Sequence, residues 1–204
     1  MSSSTAGEPT DERLLQQVAA GSQRAFTLLF RRRRSELYRF ALHLTGSPAM
    51  AEDATQETFM IVMREAGRYD AARATAIAWL CGITRNCVRK RLDRDRFLRP
   101  VGTADDVDRT ARPTAPPDVL DEMARAERLD QLRRVLMSLP LRYREAVVLC
   151  DLQELNYVDA AAALGCAVGT VRSRLHRARA LLASKLRASH DRPGLKLRKT
   201  GCFA

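Results

Sequence analysis

The chain has 204 residues, of which 46% are hydrophobic and 5% aromatic, and its formal net charge is +11. This composition allows a packed core, and the basic surplus favours a polyanionic partner, nucleic acid before membrane, with a generally solvated basic surface as the alternative. Because no apolar run approaches the roughly 20 residues that span a bilayer, and residues 1–11 lack the apolar core of a secretory signal, we expect a cytoplasmic protein without membrane insertion.

The cysteines and histidines do not form a pattern typical of a reactive site. The five cysteines include no Cys-x-x-Cys pair, and none has a histidine at ligand spacing. Three isolated histidines have no candidate nucleophile and orienting acid beside them. The sequence therefore predicts neither a metal site nor a cofactor, and it predicts that the protein is not an enzyme.

Apolar residues recur at gaps of three and four through most of the chain, which predicts helices. Helices are expected from residue 11, around residues 26–44, over 50–69 and over 76–96. Asp11 is a possible cap of the first helix. The arginine run at 31–34 is interpreted as a solvated face rather than a DNA contact, and residues 1–10 as a disordered arm.

The composition changes in the middle of the chain. Residues 100–118 contain four of the eight prolines and four aspartates but no apolar stripe, which indicates a flexible linker. The sequence thus predicts an all-α fold of two small helical domains, residues 11–99 and 119–187, followed by a basic tail at 188–204.

The second domain contains the pattern of a helix-turn-helix. A helix with an apolar stripe that includes Leu129 and Leu132 is expected over 119–138, and another over 141–152. Asn156 then caps a short alanine-rich helix, Gly165 supplies the turn, and a final helix runs over 168–187.

The final helix carries six basic side chains and no acidic one. A charge run is usually a solvated face, but this run has one sign and follows a small-residue helix and a glycine turn. We therefore interpret it as a recognition helix whose N-terminal half meets DNA bases. The candidate base-contacting residues are Thr170, Arg172, Ser173, Arg174 and Arg177.

Three segments resemble bacterial RNA polymerase sigma factors of the extracytoplasmic-function (ECF) group. The run GTVRSRLHRARALL from Gly169 resembles the recognition helix for the −35 promoter element. The run AEDATQETF from Ala51 resembles the acidic helix that docks on core RNA polymerase, and the run WLCGITRNCVRKR from Trp79 resembles the helix that opens promoters.

The resemblance implies a role for each segment. Asp53, Gln56 and Glu57 would contact core polymerase, and their spacing places them on one helix face; an exposed acidic patch without a partner is the alternative. The −10 element would be bound as a single strand by the loop at 69–75 and by the basic helix after it. The implied −10 contacts are Arg85, Asn86, Arg89 and Lys90.

The resemblance therefore implies a promoter-specificity subunit with core polymerase, promoter DNA and an anti-sigma factor as partners. The alternative is a helix-turn-helix regulator that acts without polymerase. An enzyme or an RNA-binding helical protein that uses the basic helix at 76–96 is a further rival, and the lack of a pocket motif counts against an enzyme. One departure from the family pattern is that Ala167 and Val168 precede the recognition helix, which then lacks an obvious side-chain N-cap.

Overall fold

In the computed structural model, which describes residues 8–98 and 119–190, every regular element within these ranges is a helix. The helices are α1 (Asp11–Ala19), α2 (Gln23–Thr45), α3 (Pro48–Glu65), α4 (Ala76–Leu98), α5 (Val119–Met137), α6 (Leu141–Val147), α7 (Tyr157–Leu164) and α8 (Val168–His190). A 3-10 turn, Ala66–Arg68, follows α3, and a π-helical turn, Val148–Leu152, continues α6. The all-α prediction is confirmed. The predicted linker at 100–118 and residues 191–204 of the predicted tail lie outside the described residues.

Side-chain caps fix the starts of the first three helices. The hydroxyls of Thr10, Ser22 and Ser47 each accept a hydrogen bond from the backbone amide three residues ahead. Such caps satisfy amides that have no partner within the helix. Asp11, the cap expected from the sequence, instead lies just inside α1 and is buried.

The buried Asp11 carboxylate organises the N-terminal end of the fold. It accepts hydrogen bonds from Arg32 and Arg33 of α2, and Arg32 also donates to the Pro9 carbonyl and pairs with Glu8. The interpretation of the run at 31–34 as a solvated face is therefore wrong for Arg32 and Arg33. Of the predicted disordered arm, residues 1–7 lie outside the described residues, whereas residues 8–10 are held by these contacts.

Helices α1–α4 enclose an apolar core. Leu14, Leu37, Phe40 and Leu80 are among its fully buried members. Cys81 lies in the same core as a free thiol, and burial raises its pKa, so it acts as a small hydrophobe. The apolar faces predicted for these helices are the ones that pack.

Helices α5–α8 pack around Leu149, Val171 and Leu175. The predicted apolar stripe of α5 is only partly buried, because Leu129 and Leu132 are 46% and 43% exposed. Among the side chains described in this helix, Val135 and Leu136 are buried, and the helix contacts α2 and α8. Leu129 and Leu132 lie on the predicted stripe but are not core residues.

The two helical domains pack directly against each other. Helix α4 lies on α7, and the buried apolar cluster continues from one domain into the other. Gly82 permits the close approach, since a Cβ atom at this position would lie 3.4 Å from the Ala163 carbonyl oxygen. Arg144 of α6 adds a polar contact by donating to the Leu44 carbonyl at the end of α2. The structure thus shows a closed arrangement.

Candidate nucleic-acid interface

Helices α7 and α8 form the predicted helix-turn-helix. The Asn156 side chain accepts hydrogen bonds from the amides of Val158 and Asp159, and Asp159 accepts one from the Asn156 side chain in return. Gly165 ends α7 in the left-handed conformation, with φ 62°. Val171 and Leu175 of α8 are buried, so the opposite face of this helix points to solvent. The local sequence signals therefore produce the predicted motif.

The solvent face of α8 presents most of the predicted base-contacting residues. Arg172, Ser173 and Arg177 are exposed, whereas Thr170 and Arg174 are half-buried. The helix begins at Val168, and its first turn is held by the backbone carbonyl of Ala167, which accepts from the amides of Thr170 and Val171.

Two tyrosines outside α8 hold arginines of this face. The Arg172 guanidinium lies 5.6 Å from the ring centroid of Tyr157, the first residue of α7. The nearby Arg177 guanidinium lowers the pKa of the Tyr143 hydroxyl. Sequence reasoning did not include either tyrosine, because their positions relative to α8 depend on how the helices pack.

The acidic residues of α3 lie on its outer face, as predicted, but they are paired with cations. Arg91 of α4 donates to Asp53 Oδ2 at 2.9 Å and to Glu57 Oε2 at 3.0 Å, and Lys90 Nζ is 3.7 Å from Glu57 Oε1. Gln56 and Asp53 are exposed, and Glu57 is half-buried. The face is therefore a mixed polar surface rather than an isolated negative patch.

The same face of α3 continues into exposed apolar side chains. Met60 and Met63 are 58% and 61% exposed. They follow Gln56 at intervals of four and three, which places all three on one side of the helix. Large apolar side chains exposed next to polar ones are typical of protein-binding surfaces. The helical spacing of these methionines could have identified them from the sequence.

The predicted −10 contacts on α4 do not form one open surface. Asn86 and Lys90 are exposed, but Arg85 is only 8% exposed. Arg85 Nε and Arg89 Nε donate to the same oxygen, Glu145 Oε1, at 2.9 and 2.8 Å. Two of the four predicted contacts are thus bound to the second domain in this arrangement.

The loop before α4 also contacts the second domain. The backbone amide of Thr75 donates to Asp159 Oδ1 at 3.2 Å, and the Tyr69 hydroxyl donates to the Ala74 carbonyl within the loop. Trp79 is half-buried, with its ring 5.5 Å from that of Tyr69. The loop that is predicted to bind −10 bases therefore packs through Tyr69 against Trp79 of α4.

Glu145 and Asp159 are the residues of this region that sequence reasoning missed. Glu145 of α6 is fully buried, and it directly precedes the apolar run Ala146 to Leu149. A glutamate four residues before a core leucine lies on the buried face of a helix, and a buried carboxylate needs a cationic partner. This signal was available from the sequence, whereas the identity of the partner was not.

The fold and its surfaces define a DNA-binding protein of two helical domains. Two family models match the chain: "Sigma-70 region 2" over residues 29–97 and "Sigma-70, region 4" over residues 129–182. The first match covers α4 and the acidic face of α3, and the second covers the helix-turn-helix. One matched region lies within each of the two predicted domains, 11–99 and 119–187.

Curated relatives and solved structures are similar over most of the chain. The ECF RNA polymerase sigma factor SigM of Mycobacterium tuberculosis is 38% identical, over 88% of this chain and 86% of that protein. SigE of Mycolicibacterium smegmatis is 37% identical, over 90% of this chain and 72% of that protein. CnrH, solved in complex with the cytosolic domain of CnrY, has a TM-score of 0.65 at 30% identity, covering 87% of this chain and 97% of that one.

The chain belongs to the ECF RNA polymerase sigma factors. A sigma factor directs RNA polymerase to promoters, so the alternative of a regulator that acts without polymerase is not favoured. Within the ranges 8–98 and 119–190, no helix is both long enough and apolar enough to cross a membrane.

Proposed function

We propose that this sigma factor divides promoter recognition between three surfaces. Helix α8 reads the −35 element as duplex DNA, α4 and the loop at 69–75 capture the −10 element as a single strand, and the outer face of α3 binds core RNA polymerase. The exposed basic face of α8, which has six basic side chains and no acidic one, is the observation that carries the proposal.

The −35 reading is supported by the position of the exposed side chains. Arg172 and Ser173 lie in the N-terminal half of α8, the part of a recognition helix that enters the major groove. An arginine can donate two hydrogen bonds to one guanine, and this is the commonest specific contact to a base. Arg174 and Arg177 extend the same basic surface toward the phosphates.

The −10 capture is supported by the charge of α4. Residues 81–99 hold seven basic side chains and two aspartates. Among the side chains assigned to this role, Asn86 and Lys90 are exposed, while Arg85 and Arg89 become available only when they leave Glu145. Basic groups that track a phosphate backbone beside aromatic rings are the usual elements of a single-strand site.

Polymerase docking is assigned to Asp53, Gln56 and Glu57, together with the exposed Met60 and Met63. Polar groups at one end and apolar side chains at the other give this face the mixed character of a protein interface. Arg91 fixes the two carboxylates in place, since it donates to both. The docking surface is therefore preorganised rather than assembled on binding.

We also propose that an anti-sigma factor controls this sigma factor. We propose further that this sigma factor works in the cytoplasm and has no enzymatic activity. One similar structure is a complex with such a partner: the sigma factor RpoE of Bartonella quintana with the anti-sigma factor NepR. RpoE has a TM-score of 0.61 at 28% identity, over 82% of this chain and 98% of that one.

The −35 assignment is tested by comparing Arg172→Ala with Arg179→Ala. Both variants remove one positive charge from α8, but Arg179 is already paired with Asp151. Polymerase in complex with each variant would be used to select duplexes from a library of randomised sequences. We expect Arg172→Ala to relax the preference at one or two −35 positions by about 1–3 kcal/mol.

The control variant, Arg179→Ala, should change the overall affinity for duplex DNA and leave the base preferences as they are. An unchanged −35 preference in Arg172→Ala would remove Arg172 from the reading set. Equal losses of affinity in both variants, with the base preferences unchanged, would indicate that these arginines of α8 contribute charge but no base readout.

A further inference from the structure

We infer that Glu12 of α1 is a positioning residue for −10 recognition, which holds the loop at 69–75 in the shape that receives an unpaired base. This inference rests on the proposed role of that loop in −10 capture. Glu12 would not touch DNA itself. It would act through the backbone at the point where the loop joins α4.

The Glu12 carboxylate binds the backbone at the end of the loop. Its Oε1 accepts a hydrogen bond from the Ala76 amide at 3.3 Å, across 64 positions of sequence. Ala76 is the first residue of α4, and amides in the first turn of a helix have no partner within the helix. A carboxylate at this end of a helix also interacts favourably with the helix dipole. Glu12 therefore fixes the point at which the loop ends and α4 begins.

The other end of α1 lies at the start of the same loop. Helix α1 packs on the 3-10 turn Ala66–Arg68, which leads directly into Tyr69. A Cβ atom at Gly67 would lie 3.9 Å from the Cβ of Ala19, the last residue of α1. One helix of nine residues thus contacts both the segment that enters the loop and the residue that follows the loop.

Helix α1 is itself anchored to the rest of the first domain. Leu14 is fully buried in the core. The carboxylate of Asp11 accepts hydrogen bonds from Arg32 and Arg33 of α2. Because Asp11 directly precedes Glu12, these bonds fix the turn of α1 from which the Glu12 side chain reaches α4.

The contacts inside the loop join its first residue to its end. Burial raises the pKa of the Tyr69 hydroxyl, and the nearby charge of Glu12 raises it further. The hydroxyl therefore stays protonated and donates to the Ala74 carbonyl, while the Tyr69 ring packs against Trp79 of α4. Both contacts depend on the distance between the two ends of the loop, and α1 contacts both ends.

A fixed loop matters because an unpaired base is recognised by groups held around it. Rejection of the wrong base requires donors and acceptors that keep their positions, whereas a loop with one released end can adapt to several bases. Loss of the Glu12 contact should therefore lower base discrimination at the −10 element. It should leave −35 reading by α8 unchanged, since α8 belongs to the other domain.

The test compares Glu12→Asp with the matched variant Gln16→Asn in holoenzyme assembled from the full chain and core polymerase. Each variant shortens one side chain of α1 by one methylene group, and Gln16 is exposed one turn further along the helix. The probe is a library of promoter forks. In each fork a duplex −35 segment selected by the native holoenzyme precedes a single-stranded −10 segment of randomised sequence. Sequencing of the bound forks gives the base preference at each position.

Glu12→Asp keeps the negative charge but withdraws it from the Ala76 amide. We expect this variant to reduce the preference for the favoured base by about fivefold or more at one or more −10 positions. Glu12→Gln keeps an acceptor oxygen at the native distance and should retain most of the native preference. Gln16→Asn should stay within about twofold of the native chain, because it changes an exposed side chain. The −35 preferences, measured on randomised duplexes, should be the same in all of these proteins.

The outcomes separate this inference from the proposed function. Native −10 preferences in Glu12→Asp would overturn the role of Glu12, and so would an equal loss in Gln16→Asn. A joint loss of −10 and −35 preference in Glu12→Asp would indicate a general folding defect and would also overturn it. If Asn86→Ala and Lys90→Ala leave the −10 preferences unchanged, the proposed −10 role of α4 fails. If these two variants lower them and Glu12→Asp does not, only the inference about Glu12 fails.

Discussion

Individual arginines of this protein are positioned by partners that lie far away in the sequence. Arg172 stacks on Tyr157, and Arg91 joins the two carboxylates of α3. Helical spacing predicted the exposed positions of Arg172 and Asp53, but it did not predict the burial of Arg85. It did not predict that Asp53 and Glu57 are paired, since Arg91 reaches them from another helix.

The stack on Tyr157 leads to a prediction about DNA binding. We expect Tyr157→Ala to weaken binding of a selected −35 duplex by about two- to fivefold, the value of an exposed cation–π contact. Tyr157→Phe keeps the ring and should bind like the native chain. Anisotropy titrations at fixed salt would measure both affinities.

Equal weakening in Tyr157→Phe and Tyr157→Ala would assign the effect to the hydroxyl group rather than to the ring. If neither variant weakens binding, Arg172 does not depend on Tyr157 for its position.

At the scale of single elements, the sequence predicted helix ends best where a capping or turn residue determines them without a contact from another element. Asn156 and Gly165 begin and end α7 as expected. Helix α5 shows the limit, because its periodic leucines Leu129 and Leu132 are exposed. A period identifies a helix face, but burial of that face requires a neighbouring element, and none covers Leu129 and Leu132.

The start of α8 is the element where a single change should stabilise the protein. Ala167 precedes the helix and has no side-chain oxygen with which to cap it. We expect Ala167→Ser to raise the free energy of unfolding by about 1 kcal/mol. Ala180→Ser, at an exposed position inside α8, should lower it by a few tenths of a kcal/mol, because serine is the weaker helix former there.

Urea unfolding monitored by circular dichroism would measure these free energies. The variants are compared at the same slope of the unfolding free energy against urea concentration. A loss of stability in Ala167→Ser equal to that in Ala180→Ser would show that the first turn of α8 is not limited by its missing cap.

At the scale of the whole molecule, the sequence predicted two domains and left their mutual packing open. Arg85 and Arg89 are 60 and 56 positions away from Glu145, and Thr75 is 84 positions away from Asp159. No periodicity connects residues at such distances, and the segment between the domains has no apolar pattern that would position them. The closed arrangement therefore depends on the complementarity of two surfaces that the sequence presents separately.

The division of work between α3 and α8 is the central claim, and transcription with purified core polymerase on a library of promoter templates tests it most directly. We expect Gln56→Ala to lower transcription from every promoter by a similar factor, because it weakens docking, whereas Arg172→Ala should change which promoters are used. Glu65→Ala, at the last position of α3, should behave like the native chain. A native chain that yields no promoter-specific transcripts, or a Gln56→Ala variant that changes promoter choice in the way Arg172→Ala does, would contradict the account.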